Sequence, residues 1–277
     1  VPDETMTNPR ADRVKHVRSL AQRSVRRRTG TFLVEGPQSV REAVAEVPDQ
    51  VREVYVGPDA ADRYADVVAA AAAAGVRVRR GSTEVLDAMS PDAQQLVAVV
   101  DAALPGRAEV LAHAPRLVAV LSQVRDPGNA GTVVRTADAA GADGVLLTGA
   151  SVDVHNPKVV RSTAGSLFHL PVATGGELAD VVADLRAAGL CVLAADGRGE
   201  HDLDALLDVA GAAPAGVPDL AAPTAWVFGN EAWGMSDDDR ALADAVVRVP
   251  IRGRAESLNL ATAAAVCLFA SARAQRR

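Results

Sequence analysis

Three short stretches hold residue types that could do chemistry at one place. "DPGNAGTVVR" (126–135) carries Asn129 and, six residues on, Arg135; "FGNEAWGMS" (228–236) sets Glu231 between glycines; "ESLNLATAAAV" (256–266) carries Ser257 and Asn259. Two amides, a guanidinium, a carboxylate and a hydroxyl suit a site that orients a polar substrate and neutralises charge as it develops. Each stretch also has a plainer reading. Asp126-Pro127-Gly128-Asn129 is a turn into a capped helix, with Arg135 about one and two-thirds turns further along. The Glu231 loop could be a tight turn into a helix capped by Ser236, and Ser257 could simply cap the helix that follows it. Two features go beyond caps. The helix after Asn129 continues in small residues (Thr136, Ala137, Ala139, Ala140, Gly141), which let another backbone pack close. A carboxylate just past a strand, between glycines, is placed to face a ligand.

These stretches need elements to position them, and the chain supplies an α/β pattern in two parts. In residues 31–100, "TFLVEG" (31–36), "VREVYVG" (51–57), "VRVRR" (76–80) and "QQLVAVV" (94–100) read as strands, with helices over 37–47 and 60–75. Residues 101–115 lack periodicity and hold two prolines, which marks a linker. From residue 116, strands are expected near 117–122, 144–148, 168–172, 190–195, 224–229 and 246–251. Helices are expected near 129–140, 156–164, 176–188, 236–243 and 257–273. Apolar strands alternating with helices indicate a mostly parallel sheet covered on both faces. Ligands on such sheets sit at the carboxyl ends of the strands. The three polar stretches all follow such ends or, in the third case, the loop just after one.

The 277 residues are half apolar, enough for one large or two ordinary domains. The net charge of −6 is uneven: residues 1–30 carry eight basic and three acidic side chains, a net of +5, leaving −11 for the rest. A basic arm on an acidic body fits a polyanion partner, and equally fits a solvated helix face. Cys191 and Cys267 lie far apart in apolar runs and read as buried thiols of a reducing compartment. The five histidines do not cluster, so no metal site is expected. No apolar leader or membrane-length apolar run is visible, which points to a soluble, cytoplasmic protein. There is no G-x-G-x-x-G after a strand ("DGRGEHD" at 196–202 has Asp202 at the third position), no Walker loop and no G-x-S-x-G.

Taken together and in order, "DPGNAGTVVRTADAAGADGVLL", "VFGNEAWGMS" and "VPIRGRAESLNLATAAAV" resemble the three motifs of the SpoU/TrmH branch of the SPOUT methyltransferases. "NPKVVRSTAGSLFHLPV" (156–172) is similar to the same family, so the likeness covers 116–277. "VRRRTGTFLVEGPQSVREA" (25–43) more weakly resembles that family's L30e-like substrate-binding domain. The resemblance implies a basic segment 1–30, an L30e-like RNA-binding domain 31–100, a linker 101–115 and a methyltransferase domain 116–277 with a deep trefoil knot, an exception to the rule against threaded chains. It implies a homodimer through that domain, with S-adenosyl-L-methionine as cofactor and no metal. Leu147, Thr148, Gly149, Phe228, Gly229, Asn230, Val249, Ile251 and Leu258 would hold the cofactor, mostly by backbone.

Asn129, Arg135, Glu231, Ser257 and Asn259 fall on the family's catalytic positions. The implied reaction is methyl transfer to a ribose 2′-hydroxyl of RNA, most naturally 23S ribosomal RNA because the N-terminal domain is L30e-like. Transfer RNA, a base instead of a ribose, and a non-catalytic RNA-binding protein of the same fold are the alternatives. Arginine stays protonated, so Arg135 is expected to clamp phosphate and stabilise the forming alkoxide. Asn129, Ser257 and Asn259 would orient the ribose and the arginine, and Glu231 would position the cluster. Arg18, Arg23, Arg26, Arg27, Arg28, Arg125, Lys158 and Arg161 would contact RNA phosphates.

Overall fold

Short runs of valine, leucine and alanine, buried on both faces, form most of the strands, and helices with one apolar stripe cover them. The computed structural model describes residues 5–276. The first four residues of the basic segment 1–30, and Arg277, lie outside the described residues. In chain order come α1 (Asp12–Ser19), α2 (Arg23–Thr29), β1 (Thr31–Glu35), α3 (Pro37–Glu46), β2 (Val51–Val56), α4 (Pro58–Arg63), α5 (Ala65–Ala73), β3 (Arg77–Arg80), α6 (Thr83–Met89) and β4 (Leu96–Asp101). Next are α7 (Arg107–Leu111), β5 (Leu117–Ser122), α8 (Pro127–Ala139), β6 (Gly144–Thr148), α9 (Pro157–Thr163), β7 (Val172–Thr174) and α10 (Leu178–Ala187). The last are β8 (Cys191–Ala195), β9 (His201–Asp202), α11 (Leu203–Asp208), β10 (Thr224–Phe228), α12 (Asp237–Ala241), β11 (Ala245–Arg248) and α13 (Leu260–Gln275).

The chain divides into two compact units. Residues up to Ala103 join with Asp153–His169 in the first; Leu104–Val152 join with the chain from Leu170 onward in the second. The sequence pattern ran the second domain unbroken from 116, whereas the stretch carrying α9 packs on β1 and α3 of the first unit. The first unit's sheet has the order β1-β4-β2-β3, with β4 antiparallel to both neighbours and β2 parallel to β3. Residues 12–29 are no free arm. Val14 and Val17 of α1, Leu20 just after it and Val25 of α2 share a core with Leu33, Tyr55, Leu86 and Val97.

One arginine of that segment is buried with them. Arg26 donates through Nη1 to the carbonyls of Leu20 and Ala21, both at 2.8 Å, and through Nη2 to Asp153 at 2.5 Å. His155 lies beside this pair, its ring 4.4 Å from that of Phe32. Burial pushes the His155 pKa down to about 4, Asp153 opposing and Arg26 reinforcing the shift. For Asp153 burial works upward, but the Arg26 hydrogen bond and charge outweigh it and hold the carboxyl below its usual range. His155 is thus neutral when folded, while unfolded it takes a proton below its ordinary 6.5. The unfolded state binds the extra proton between those values, so stability falls as pH drops from 6.5 towards 4. Asp153 adds a further loss in more acid solution, as pH falls through its lowered value. Urea unfolding is expected to show roughly 2 kcal/mol less stability at about pH 4.5 than at pH 7 from this site. His155→Gln should flatten that part of the profile; a flat wild-type profile would contradict the assignment.

The second unit is a seven-stranded sheet of order β7-β6-β5-β10-β8-β11-β9, parallel at every pairing. β10, late in the chain, enters between β5 and β8, both earlier. On it Trp226 is wholly buried and donates its Nε1–H to Ser271 Oγ of α13 at 2.9 Å, which seats the last helix on the sheet. The strand expected at 168–172 begins at Val172, because Ala164 and Gly165 take left-handed φ of 51° and 101° and send the chain into a short 3₁₀ turn over Ser166–Phe168. The strand expected to 251 stops at Arg248, and Pro250, which has no N–H for a ladder, lies in the loop that leaves the sheet. Among the described residues no helix is long and apolar enough to cross a membrane.

Candidate active site

The loops beyond β8, β10 and β11 open on a cleft of about 360 Å³. Phe228, Gly229, Asn230, Glu231, Val249, Ile251, Ser257 and Leu258 line it, with Ala195–Arg198 opposite and Trp233 on the same loop as Glu231. This is the carboxyl edge of a parallel sheet, where such folds bind ligands.

The loop after β10 is closed on itself. Asn230 and Gly234 exchange backbone hydrogen bonds, both 2.9 Å, and the Asn230 side chain accepts from Ala232 N at 2.9 Å and donates to the Gln123 carbonyl at 2.8 Å. Gly234 has φ +69°, and a Cβ on Gly229 would stand 2.6 Å from the Gly234 carbonyl carbon, so both glycines are required by the fold of the loop itself. Ser236 does cap α12, accepting from Asp239 N at 3.0 Å. The plain reading and the functional one therefore coexist here.

That loop delivers Glu231 to the start of α8. Its Oε2 accepts from Arg125 N at 3.2 Å; its Oε1 accepts from Asp126 N at 3.0 Å and from Asn129 Nδ2 at 3.4 Å. Asp126 is the α8 cap, accepting from Asn129 N at 2.8 Å. Asn129 Oδ1 in turn accepts from Asn259 Nδ2 at 3.0 Å. Asn259, not Ser257, caps α13, accepting from Ala261 N at 2.9 Å and Thr262 N at 3.3 Å. Ser257 stands three residues before the helix begins, exposed on the cleft. The cap fixes the direction of the whole chain of bonds. With Asn259 Oδ1 turned to the helix amides, its NH₂ must donate outward, and Asn129 must pass a donor on to the carboxylate. Asn129, at the start of α8, thus meets two segments more than a hundred residues further on, as Asn259–Asn129–Glu231.

Other expected site residues lie elsewhere. Arg135 is exposed on α8, roughly 240° round and 9 Å along from Asn129 by helix geometry, and shares no hydrogen bond with the cluster. Leu147 and Thr148 are buried at the end of β6, and Gly149 follows at φ +59°; none of the three lines the cleft, since β5 separates β6 from β10. They connect to it through Gln123, which donates N–H to the Thr148 carbonyl at 3.3 Å and accepts from Asn230. Of the basic residues expected to meet RNA, Arg18, Arg23, Arg27, Arg28 and Lys158 are exposed in the first unit, and Arg125 in the second. Arg161 is exposed but engaged, 2.6 Å from Asp92 and 3.6 Å from Glu35. Arg26 is the exception: 4 % exposed and tied to Asp153, it holds the fold together and is not available to a ligand.

Two residues that line the cleft were not singled out in the sequence. Asp196, just past the end of β8 on the cleft wall, accepts from Arg198 N at 2.9 Å and Nε at 3.1 Å. Burial works upward on its carboxyl, but Arg198 and Arg240 hold it below the usual range. Its place just past an apolar strand was the available signal. Trp233 is the other.

A parallel sheet with a ligand cleft at its carboxyl edge, joined to a separate mixed-sheet unit, defines a two-part α/β binding protein with an amide–carboxylate cluster at the cleft. Comparison with known proteins narrows this class. The model of the SpoU rRNA Methylase family matches residues 116–269, and that of the MRM3-like substrate binding domain matches 11–98. A 23S rRNA (uridine(2479)-2′-O)-methyltransferase of Streptomyces viridochromogenes is 32% identical over 92% of this chain and 86% of its own. A 23S rRNA (guanosine(2553)-2′-O)-methyltransferase of Bacillus subtilis (strain 168) is 34% identical over 93% and 94%. The crystal structure of an AdoMet-bound rRNA methyltransferase from Sinorhizobium meliloti superposes with a TM-score of 0.81 at 30% identity, covering 98% of this chain and 97% of that one. The chain belongs to the SpoU rRNA methylase family.

Proposed function

We propose that the protein transfers the methyl group of S-adenosylmethionine to a ribose 2′-hydroxyl of 23S ribosomal RNA. The observation that carries this reading is the Asn259–Asn129–Glu231 relay at the rim of the cleft, which presents short polar groups beside a pocket of cofactor size. The cleft suits the cofactor: Ile251 and Leu258 are left 39% and 36% exposed on its wall, an apolar face for a flat ring, and Gly229 keeps the backbone approachable. Phe228, Gly229, Asn230, Val249, Ile251 and Leu258 would hold it. Leu147, Thr148 and Gly149 act from behind, through Gln123.

The bound cofactor supplies a sulfonium methyl already activated for attack. What this chain adds is alignment and relief of the hydroxyl's developing charge. Glu231 already accepts from three donors, so it organises the loops and does not take the proton. Asn129, Ser257 and Asn259 orient the ribose. Arg135, turned away from this chain's own cluster, would clamp a phosphate and steady the alkoxide at the cleft of a second copy. The first unit, with Arg18, Arg23, Arg27, Arg28 and Lys158, grips RNA phosphates. The late entry of β10 between β5 and β8, with α13 returning over α8 and β10, supports a threaded chain. A ribosomal RNA substrate fits a cytoplasmic protein.

A second copy of the chain completes the assembly. Thr262, Val266 and Phe269 repeat on the exposed face of α13, with Val266 40% and Phe269 49% exposed, and α13 packs beside the α8 that carries Arg135. An apolar helical stripe next to a catalytic arginine fits an isologous contact. Phe269→Asp is expected to turn the dimer to monomer in sedimentation velocity and to lower methyl transfer by at least about tenfold; an unchanged sedimentation coefficient would remove this face from the interface.

Methyl-labelled S-adenosylmethionine, incubated with the protein and with transfer RNA, 16S and 23S transcripts, tests the main reading. Label recovered as a 2′-O-methylnucleoside from 23S RNA is the expected result. Label on a base, or in transfer RNA alone, or none in transcripts or ribosomal particles, would overturn it.

A further inference from the structure

The chain holds two tryptophans, and they have opposite fates. Trp226 is wholly buried, while Trp233 is 56% exposed, the most exposed large apolar side chain among the described residues. Burying an indole is strongly favourable, so an indole held in the open needs a reason. The loop that carries it is not slack: the paired Asn230–Gly234 bonds, the Asn230 side-chain bonds and the left-handed Gly234 fix it on both sides. One residue separates Trp233 from Glu231, so the same rigid loop sets the carboxylate inward and the indole on the cleft rim. The Arg125 guanidinium stands 5.4 Å from the centre of the indole ring. Arg125 N–H also bonds Glu231, so both halves of the pair are anchored to the catalytic cluster.

We propose that Trp233 and Arg125 form a stacking subsite for an unpaired nucleobase next to the nucleotide being methylated. RNA is recognised chiefly by splaying unpaired bases onto aromatic faces or guanidinium planes, and here both surfaces stand together beside the acceptor position. The flanking cation suits a polyanion. The apolar stripe expected to meet a second copy is on α13, a different element. The proposal rests on the methyl-transfer reading and supplies its selectivity: a target in a loop or bulge is taken, and a paired one is refused.

Three readouts on the full chain test it. Trp233→Ala should raise KM for the 23S transcript about tenfold, more than it lowers kcat. Its affinity for S-adenosylmethionine and its sedimentation should not change, and Trp233→Phe should recover most of the loss. Tryptophan fluorescence of the wild type should be quenched by a single-stranded octaadenylate and not by a duplex of equal length. Trp233→Phe, which leaves only buried Trp226, should show no quench. An unmoved KM with no quench overturns the subsite, as does a loss confined to cofactor affinity or a change in sedimentation. A wild-type chain that methylates no RNA yet is quenched by the single strand would sink the methyl-transfer reading and leave the subsite standing.

Discussion

Arg135→Ala lowers single-turnover methyl transfer by about a hundred- to a thousandfold at saturating RNA, the loss typical of removing one charge-stabilising donor from a reaction centre. The residue is exposed and, among the described residues, makes no ion pair, so the fold does not depend on it and the loss reads as chemistry. Arg135→Lys separates charge from shape. Lysine keeps the positive charge but offers a compact ammonium in place of a planar fork, so about a tenth or less of the rate should return. Near-full turnover with lysine would sink the bidentate clamp and leave a simple electrostatic role.

Glu231→Gln is expected to cost about a hundredfold in the same assay, by another route. The carboxylate accepts from two backbone amides and the Asn129 side chain. A glutamine offers one oxygen and one NH₂, so at least one donor is left facing another donor. The direct cost of a lost bond at this exposed position is modest, about 1 kcal/mol. The larger effect is positional: with its oxygen kept toward Asp126 N and Asn129, the glutamine NH₂ faces Arg125 N–H, pushes the loop away and so misplaces Asn129 and its bond to Asn259. A displacement of about an ångström at a reaction centre is enough for two orders of magnitude. Glu231→Asp keeps the charge and shortens the reach, and should be nearly as poor. A normal rate in the glutamine variant, with an unchanged melting temperature, would make the cluster a loop clasp without part in the chemistry.

The relay was legible because its members are polar residues at the carboxyl ends of apolar strands or at helix starts, where a parallel sheet exposes its loops. What joins them was not. Ser257 and Asn259 are both good caps two residues apart, and local sequence does not choose between them; the choice falls to Asn259 because Asn129, from 130 residues earlier, accepts its free NH₂. Arg26, Arg27 and Arg28 read alike, and only a place on the buried side of α2, together with an Asp153 placed 127 residues away, turns the first of them inward. Trp233 was hidden for the opposite reason. Flanked by a glycine and an alanine, it looks like any turn residue until the loop is seen to hold it open. The strands of the second unit were plain where apolar runs end in glycine or polar residues, as at β5, β6 and β10. They blurred where a left-handed Ala164–Gly165 or Pro250 cut an apolar run short.

The first unit cannot be finished when Ala103 leaves the ribosome. Its β1 is still waiting for α9, and Arg26 for Asp153, neither of which is made until β5, α8 and β6 have already emerged. Domains usually fold as they are synthesised, the earlier one first. Here the newborn chain must keep the amino-terminal unit open while part of the second is extruded, then close it with Asp153–His169 before β7 appears. Stopping synthesis after residue 152 would leave a buried arginine without its counter-charge.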